Sequence, residues 1–192
     1  MTLKDPASRE ASREYASFVL RSLAVVVAIL LLVISIANFF HVQVFRVSGA
    51  SMEPTLRNNS LAAITTDPAG EIQRGDIVLF EFPEAWQKHN TEGANFVVKR
   101  VTALPGDSVR VTPEGVFVSD SSSYPHPSGY KCSPNIQFRV PQDTVFVMGD
   151  NPLQSFDSRF LACSGELDIA FVPLSDVKHK GVETLGSIGG YL

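Results

Sequence analysis

One uncharged apolar run limits what this chain can fold into more than any other feature. From Ser22 to Phe45 the sequence contains no Asp, Glu, Lys or Arg, and the stretch from Leu23 to Ile36 reads LAVVVAILLLVISI. About 20 consecutive apolar residues suffice for a helix to cross the hydrocarbon core of a bilayer. A helix buried in a globular domain would be shorter and would keep a polar face. The run therefore predicts a transmembrane helix over residues 22–40.

The basic residues around this run predict its orientation. Only Arg46 follows it closely, whereas four basic residues precede it: Lys4, Arg9, Arg13 and Arg21. Segments rich in Lys and Arg stay on the cytoplasmic side of a membrane. We therefore expect residues 1–21 to form a cytoplasmic segment and residues 41–192 to form an exported domain.

A cleavable signal peptide is the alternative interpretation of the same run. Ser35 and Ala37 would place small residues at −3 and −1 of a cleavage site. A signal peptide turns polar beyond such a site, but here apolar residues continue as far as Phe45. This continuation favours an uncleaved anchor.

The exported part is long enough for one domain with its own core. Short β-branched and aromatic runs recur in it between turn signals such as Leu104-Pro105-Gly106-Asp107. They predict strands at Leu61–Thr65, Ile77–Phe82, Phe96–Ala103, Ser108–Thr112, Val116–Ser119, Val145–Met148 and Ala170–Val172. The Ser/Pro-rich stretch 120–134 is expected to be an exposed loop. The expected fold is therefore mainly β, carried on one membrane helix.

Charge and cysteine content exclude several classes of function. The formal net charge of −4 gives no basic excess for binding nucleic acid. The two cysteines, Cys132 and Cys163, match none of the paired Cys/His spacings of a structural zinc site. The sequence has no glycine-rich phosphate loop, and its Asp/Asn/Ser cluster after Met148 does not fit the spacing of a calcium loop, so we expect neither a cofactor nor a metal. An exported compartment allows a Cys132–Cys163 disulfide, which we favour over two unpaired cysteines.

Ser51 lies in a sequence context suited to a nucleophile. Gly49 precedes it and lets the backbone approach a neighbour closely, while Pro54 follows and prevents a helix from starting at Glu53. Such a turn can present a hydroxyl and its own N–H toward a bound carbonyl. A polar turn just outside the membrane is the alternative.

A serine hydroxyl is a weak nucleophile and needs a base. None of the 4 histidines lies at a strand end beside a carboxylate in sequence. Lys99 instead lies within an apolar, strand-like run, where burial would lower the pKa of its amine. A neutral amine can accept the hydroxyl proton. The alternative is a strand lysine whose amine reaches water.

A third polar cluster follows the strand predicted at Val145–Met148. It begins with Gly149-Asp150-Asn151 and continues with Ser155, Asp157, Ser158 and Arg159. Such residues can form a buried hydrogen-bond network in which Asp157 and Arg159 make a charge-assisted pair.

In this order, the segments resemble the boxes of bacterial type I signal peptidases, the leader peptidases. The matching residues are Ser51-Met52 with Pro54-Thr55-Leu56, then Gly75-Asp76-Ile77-Val78-Leu79-Phe80, then Lys99-Arg100 with Leu104-Pro105-Gly106-Asp107, and last Gly149-Asp150-Asn151 with Ser155, Asp157, Ser158 and Arg159. The resemblance extends from the predicted anchor to about Pro173.

The resemblance implies a membrane-bound serine endopeptidase with a Ser/Lys dyad and a largely antiparallel, coiled β-barrel domain. Ser51 would form an acyl-enzyme and Lys99 would be the general base. Ser155 would orient the lysine amine, and Asp157 and Arg159 would hold that region by a salt bridge.

The resemblance also implies the partners and the location of the protein. The substrates would be signal peptides of exported preproteins, cleaved after small residues in an Ala-x-Ala pattern. The enzyme would sit in the bacterial inner membrane, with its N-terminus cytoplasmic and its catalytic domain outside, and would contact the lipid bilayer but no nucleic acid.

Departures from the family's pattern and alternative functions accompany this resemblance. Gly49 stands where some members carry a serine that donates to the oxyanion, which implies a hole built on backbone or water. Pro152-Leu153-Gln154 replaces polar residues common after Gly-Asp-Asn. A Ser/Lys peptidase dedicated to one substrate, such as a pilin or conjugation precursor, is the first alternative, and an anchored binding module without chemistry is the second.

Overall fold

The computed structural model of the chain describes residues 6–39, 42–65, 71–89, 93–119, 122–133 and 135–186. It divides into two compact units, Met1–His41 and Val42–Leu192, which are described separately below. The first five residues of the expected cytoplasmic segment lie outside the described residues. So do residue 40, at the end of the expected transmembrane helix, and residue 41, at the start of the expected exported domain.

The first unit contains a single long helix, α1, over Pro6–Phe39. Proline is well tolerated at a helix start because its missing N–H would have no partner there. Within α1, Arg13–Ile36 forms a 24-residue stretch without buried side chains, and its most apolar part has a mean hydropathy of 2.8. At 1.5 Å per residue this stretch is about 36 Å long, which exceeds the hydrocarbon thickness of a bilayer. The helix begins earlier than the predicted residue 22, because Ala, Arg and Glu in its first turns are good helix formers.

The second unit is mainly β, and all its strand pairs are antiparallel. In chain order its elements are β1 Val42–Arg46, β2 Leu61–Thr65, β3 Ile77–Glu81, β4 Phe96–Ala103, β5 Ser108–Thr112, β6 Gly115–Val118, β7 Ser123–Pro125, β8 Ile136–Arg139, β9 Thr144–Met148, α2 Ser158–Cys163, β10 Val172–Pro173 and β11 Val177–Gly186. A seven-stranded sheet has the order β1-β2-β11-β3-β4-β9-β10, and a four-stranded sheet has the order β7-β6-β5-β8. The expectation of a mainly antiparallel β domain with one N-terminal apolar helix is confirmed.

Two buried clusters lie on opposite faces of the large sheet. Strand β3 shows why, since alternate side chains of a strand point to opposite faces. Val78 and Phe80 pack into the main cluster, whereas Ile77 and Leu79 pack against the smaller one. The smaller cluster consists of Val47, Met52, Leu56, Ala62, Ile64 and Val182. It therefore anchors the loop between β1 and β2, which carries Ser51, onto the sheet.

The sheet is curled, and the curl brings distant strands together. Strand β1 is separated from β4 by β2, β11 and β3. In a flat sheet these two strands would lie about 19 Å apart at about 4.8 Å per step. Curling of the sheet, together with a loop that folds back over it, allows residues near β1 to contact β4.

Candidate active site

The loop after β1 is a closed turn held at both ends. The Val47 N–H donates to the Ser60 carbonyl at 2.9 Å, and the Asn59 N–H donates to the Val47 carbonyl at 2.9 Å. Gly49 has a φ of 90°, a backbone conformation that L side chains rarely adopt. Met52 and Leu56 are buried in the smaller cluster and fix the turn against the sheet. Ser51 is thereby held, half-buried, at a defined position.

Strand β4 places Lys99 directly against this turn. The Lys99 Nζ lies 2.9 Å from the Ser51 Oγ and donates to the Val98 carbonyl at 3.0 Å. The Lys99 side chain is 3% exposed. The structure thus brings together the two residues that the sequence analysis named as nucleophile and base.

Burial changes the acid–base behaviour of this lysine. It lowers the pKa of Lys99 from the ordinary 10.5 to about 8. The Asp157 and Asp150 carboxylates act in the opposite direction and raise the pKa, whereas the Arg159 guanidinium lowers it further. A substantial share of the amine is therefore neutral near pH 8 and able to accept a proton.

The turn after β9 contacts the nucleophile loop through its backbone. The Asn151 N–H donates to the Ser51 carbonyl at 2.9 Å. A Cβ at Gly149 would come within 2.5 Å of the same carbonyl and 2.3 Å of the Ser155 Oγ. Glycine at position 149 is therefore required for this close approach of the two chain segments.

Asp157 and Arg159 form a fully buried ion pair beneath that turn. One guanidinium nitrogen of Arg159 donates to the Asp157 carboxylate at 2.8 Å, and the two side chains are 2% and 0% exposed. Asp157 also accepts from the Gly149 N–H at 2.8 Å and from the Phe160 N–H at 3.0 Å, which caps α2. The pair connects the glycine turn to the start of α2, so both are held in one geometry.

Ser155 lies in the same region, 6% exposed and packed against Gly149. Its Oγ is buried and has no hydrogen-bond partner among the described residues. The bond to the lysine amine that the resemblance implies is therefore absent from this geometry. The buried hydroxyl nevertheless has its donor and both acceptor positions available.

A second ion pair, between Arg100 and Asp150, was not predicted from the sequence. Arg100 donates through Nε and one terminal nitrogen to the two oxygens of Asp150, at 2.8 and 2.6 Å. Thr55 Oγ1 donates to Asp150 at 2.6 Å. Burial alone would raise the pKa of Asp150, but the hydrogen bonds from Arg100 and Thr55 hold it below its ordinary value. This bidentate pair joins the three segments that carry Thr55, Lys99 and the glycine turn.

The signal for this second pair was present in the sequence. Arg100 directly follows the candidate base, and Asp150 lies within the Gly-Asp-Asn motif. When two motifs of one site carry opposite charges, an ion pair between those two residues, here Arg100 and Asp150, is favoured.

The described residues contain one group of three potential metal ligands: His126, Cys132 and Cys163, whose ligand atoms lie within 4.8 Å of one another. The two sulfurs are joined in a Cys132–Cys163 disulfide. A disulfide offers no thiolate to a metal ion, so this group is not a metal site in the oxidised protein.

Comparisons with known proteins show the family to which the chain belongs. The model of the family described as signal peptidase, peptidase S26, matches residues 20–184. Signal peptidase I P of Bacillus subtilis subsp. natto is 32% identical over 149 residues, which cover 71% of this chain and 75% of that protein. A probable signal peptidase I-2 of Synechocystis is 34% identical over 151 residues, covering 72% of this chain and 65% of that protein.

Among solved structures, a signal peptidase I from Enterococcus faecalis matches with a TM-score of 0.39 and 22% identity, covering 57% of this chain and 96% of that chain. The family model spans most of the sequence and includes all the motifs described above. The chain therefore belongs to the signal peptidase family S26, as a type I signal peptidase, a serine peptidase that removes signal peptides.

Proposed function

We propose that the chain cleaves preproteins through a Ser/Lys dyad in which Ser51 is the nucleophile and Lys99 is the general base. The observation that carries this proposal is the 2.9 Å distance between the Ser51 Oγ and the amine of Lys99, a residue that is only 3% exposed. A base within hydrogen-bond reach of the hydroxyl is what general-base catalysis requires. The lowered pKa of Lys99 supplies the neutral form of that base.

The proposed reaction has two stages. The Ser51 Oγ attacks the scissile carbonyl while Lys99 takes the hydroxyl proton, and the resulting ammonium then gives a proton to the leaving amine. The product is an acyl-enzyme on Ser51. In the second stage Lys99 removes a proton from a water molecule, which attacks the ester. The Lys99 ammonium then returns that proton to the departing Ser51 Oγ, so the carboxylate product leaves and the free hydroxyl and neutral amine are restored.

Other residues of the site would support these steps. The Ser51 N–H has no acceptor among the described residues, and it can donate to the oxyanion of the tetrahedral intermediate. Gly49 leaves the space beside this N–H free of a side chain, so backbone or water would complete the oxyanion hole. Ser155 would orient the Lys99 amine once substrate closes the site. Asp157 and Arg159 would keep the glycine turn in place.

The substrate class is inferred from the family. We infer cleavage after small residues at −1 and −3, which shallow apolar pockets would select because larger side chains would clash there. The apolar stretch of α1 would anchor the enzyme in the bacterial inner membrane over residues 22–40. By the charge bias of its flanks, residues 1–21 would lie in the cytoplasm and residues 41–192 outside.

The proposal is tested by cleavage of a preprotein with an Ala-x-Ala site by the full chain in detergent micelles. Wild type should cleave it, and Ser51→Ala should lower kcat/KM by about 10³-fold or more. Ser48→Ala is the matched control, since Ser48 is exposed in the same loop and should retain full activity. Cleavage by Ser51→Ala at the wild-type rate would rule out this nucleophile.

The same assay separates the general peptidase from a dedicated one. A general signal peptidase should process several unrelated preproteins with small residues at −1 and −3. If folded wild type cleaved none of them, an enzyme dedicated to a single precursor, or a binding module that retains the motif without activity, would replace the proposal.

The pH dependence of kcat/KM should reflect Lys99. A protonated amine cannot accept the hydroxyl proton, so activity should fall about tenfold per pH unit below the pKa of about 8 and level off above it. The charged groups that act on Lys99 are Asp157, Arg159 and Asp150. A profile measured from pH 5 to 10 that stayed flat below pH 8 would exclude Lys99 as the base.

A further inference from the structure

The loop that contains β7 lies over the buried ion pair of the site. Residues 122–133, which we call the tethered loop, include β7 and end at the disulfide. The disulfide joins Cys132 to Cys163, the last residue of α2. The His126 N–H, at the other side of the loop, donates to the Glu114 carbonyl at 2.8 Å. The loop is therefore fixed both to the small sheet and to the helix that begins at the ion pair.

The ring of Tyr130 covers the Arg159 guanidinium. The central carbon of that guanidinium lies 5.4 Å from the centre of the Tyr130 ring. The His126 ring stacks on the Tyr130 ring, with 4.4 Å between the two ring centres and an interplanar angle of 23°. Cation–π contacts of this kind stabilise a partly desolvated cation. Arg159 is 1% exposed, and its Nε has no hydrogen-bond partner among the described residues.

Arg159 in turn acts on the reacting groups. It donates to the Gly149 carbonyl at 3.3 Å, in the turn whose Asn151 N–H holds the Ser51 carbonyl. Its charge lowers the pKa of Lys99, against the raising effects of Asp157 and Asp150. A change in the position or hydration of Arg159 would therefore affect both the position of Ser51 and the pKa of Lys99.

We propose that Tyr130 is a positioning residue for the peptidase, and that the Cys132–Cys163 disulfide keeps its ring on the Arg159 guanidinium. This inference rests on the Ser/Lys function proposed above. Without the ring, water enters on the outer side of Arg159 and screens its charge. The Asp157 carboxylate lies on the inner side, where it accepts from the Gly149 and Phe160 N–H groups, so the entering water screens its charge less than that of Arg159. The carboxylate then dominates at Lys99, so the amine holds its proton more tightly.

The test compares Tyr130→Leu with Tyr130→Phe in the full chain, with kcat/KM measured from pH 5 to 10. In Tyr130→Leu, the acid limb of the profile, where kcat/KM falls as the pH decreases, should move to higher pH by about half a pH unit. Below the pKa this corresponds to a roughly threefold loss of kcat/KM. Tyr130→Phe keeps the aromatic face and should retain the wild-type profile. A merely structural defect would lower activity by the same factor at every pH and would leave the limb in place.

A second arm tests the disulfide on folded protein. Dithiothreitol, a dithiol that is oxidised to its own cyclic disulfide, reduces the bond to two thiols. Reduction should shift the profile in the same direction as Tyr130→Leu. The Cys132→Ala/Cys163→Ala double variant should show the shift without reductant and should not respond to it, which controls for effects elsewhere.

The outcomes separate this inference from the proposed function. An active wild type with an acid limb near pH 8 and unshifted limbs in Tyr130→Leu and reduced protein would overturn the inference alone. An equal loss in Tyr130→Phe and Tyr130→Leu would also overturn it, because the ring face would not be the cause. A wild type without any acid limb would instead refute the dyad itself.

Discussion

Replacing Lys99 with methionine should lower kcat/KM for preprotein cleavage by at least about 10³-fold, while the protein becomes more stable. Methionine fills the same buried space but cannot accept the Ser51 proton. The stability gain follows from the pKa of Lys99, which is about 8 in the folded chain against an ordinary 10.5. The unfolded chain holds this proton more tightly, so charged Lys99 destabilises the fold.

The sign and the pH range of that gain can be stated. The penalty is absent above the unfolded pKa of 10.5, grows as the pH falls, and is complete below about 8. At neutral pH it is on the order of 3 kcal/mol, so thermal unfolding of Lys99→Met should occur about 6–12 °C higher.

The control for this experiment is Lys178→Met, at a partly exposed lysine that pairs with Glu81. It should change neither activity nor melting temperature by much, since surface ion pairs contribute roughly 0–1 kcal/mol. Loss of activity together with a lower melting temperature in Lys99→Met would contradict the prediction, because the defect would then be one of folding. Retention of a tenth or more of wild-type activity would exclude Lys99 as the base.

Arg159→Leu should be the most destabilising of the substitutions considered. It leaves the Asp157 carboxylate fully buried without its cation. Breaking a buried pair by removing one partner costs about 3–5 kcal/mol. For a chain of this size the melting temperature should drop by about 6–20 °C.

A second substitution tests whether the unpaired charge is the cause. Asp157→Asn/Arg159→Leu removes both charges but leaves an amide oxygen to accept from the Gly149 or Phe160 N–H. The double variant should recover part of the lost stability. Glu81→Gln, which breaks the more exposed pair with Lys178, is the matched control and should shift the melting temperature by about 4 °C or less. Equal melting temperatures for Arg159→Leu and this control would refute the prediction.

Some elements could be predicted from local sequence, because the hydrophobicity or strand propensity of their own residues is sufficient to indicate them. Strands β2, β4 and β5 were predicted with their observed bounds, because each contains β-branched residues and is limited by turn residues. The apolar helix required only the absence of charge over a long run. The predicted bounds of β3, β6, β9 and β10 differ from the observed ones by a residue or two, since strand ends depend on pairing partners.

Other strands exist only because of their neighbours. β11, Val177–Gly186, reads VKHKGVETLG and shows no alternation of apolar and polar residues. It forms because it fills the gap between β2 and β3, where both of its edges are paired. β7 lies within the Ser/Pro-rich stretch that was expected to be a loop, and β1 and β8 were also not predicted. Pairing energy, rather than intrinsic propensity, places β7 and β11 in the sheets, whereas β1 (VQVFR) and β8 (IQFR) already contain residues that favour strands.

The site divides in the same way between sequence and tertiary structure. Ser51, Lys99 and the Asp157–Arg159 pair were candidates from sequence because of local signals: small residues before a serine, a cation in an apolar strand, and opposite charges two residues apart. The resemblance to type I signal peptidases was needed to join them into one predicted site. The bidentate Arg100–Asp150 pair, the Tyr130 contact with Arg159 and the close approach at Gly149 join segments far apart in the chain. Hydrophobicity and backbone preference are properties of a segment and can be read along it. Contacts across the curled sheet depend on which strands become neighbours, and only the packed structure decides that.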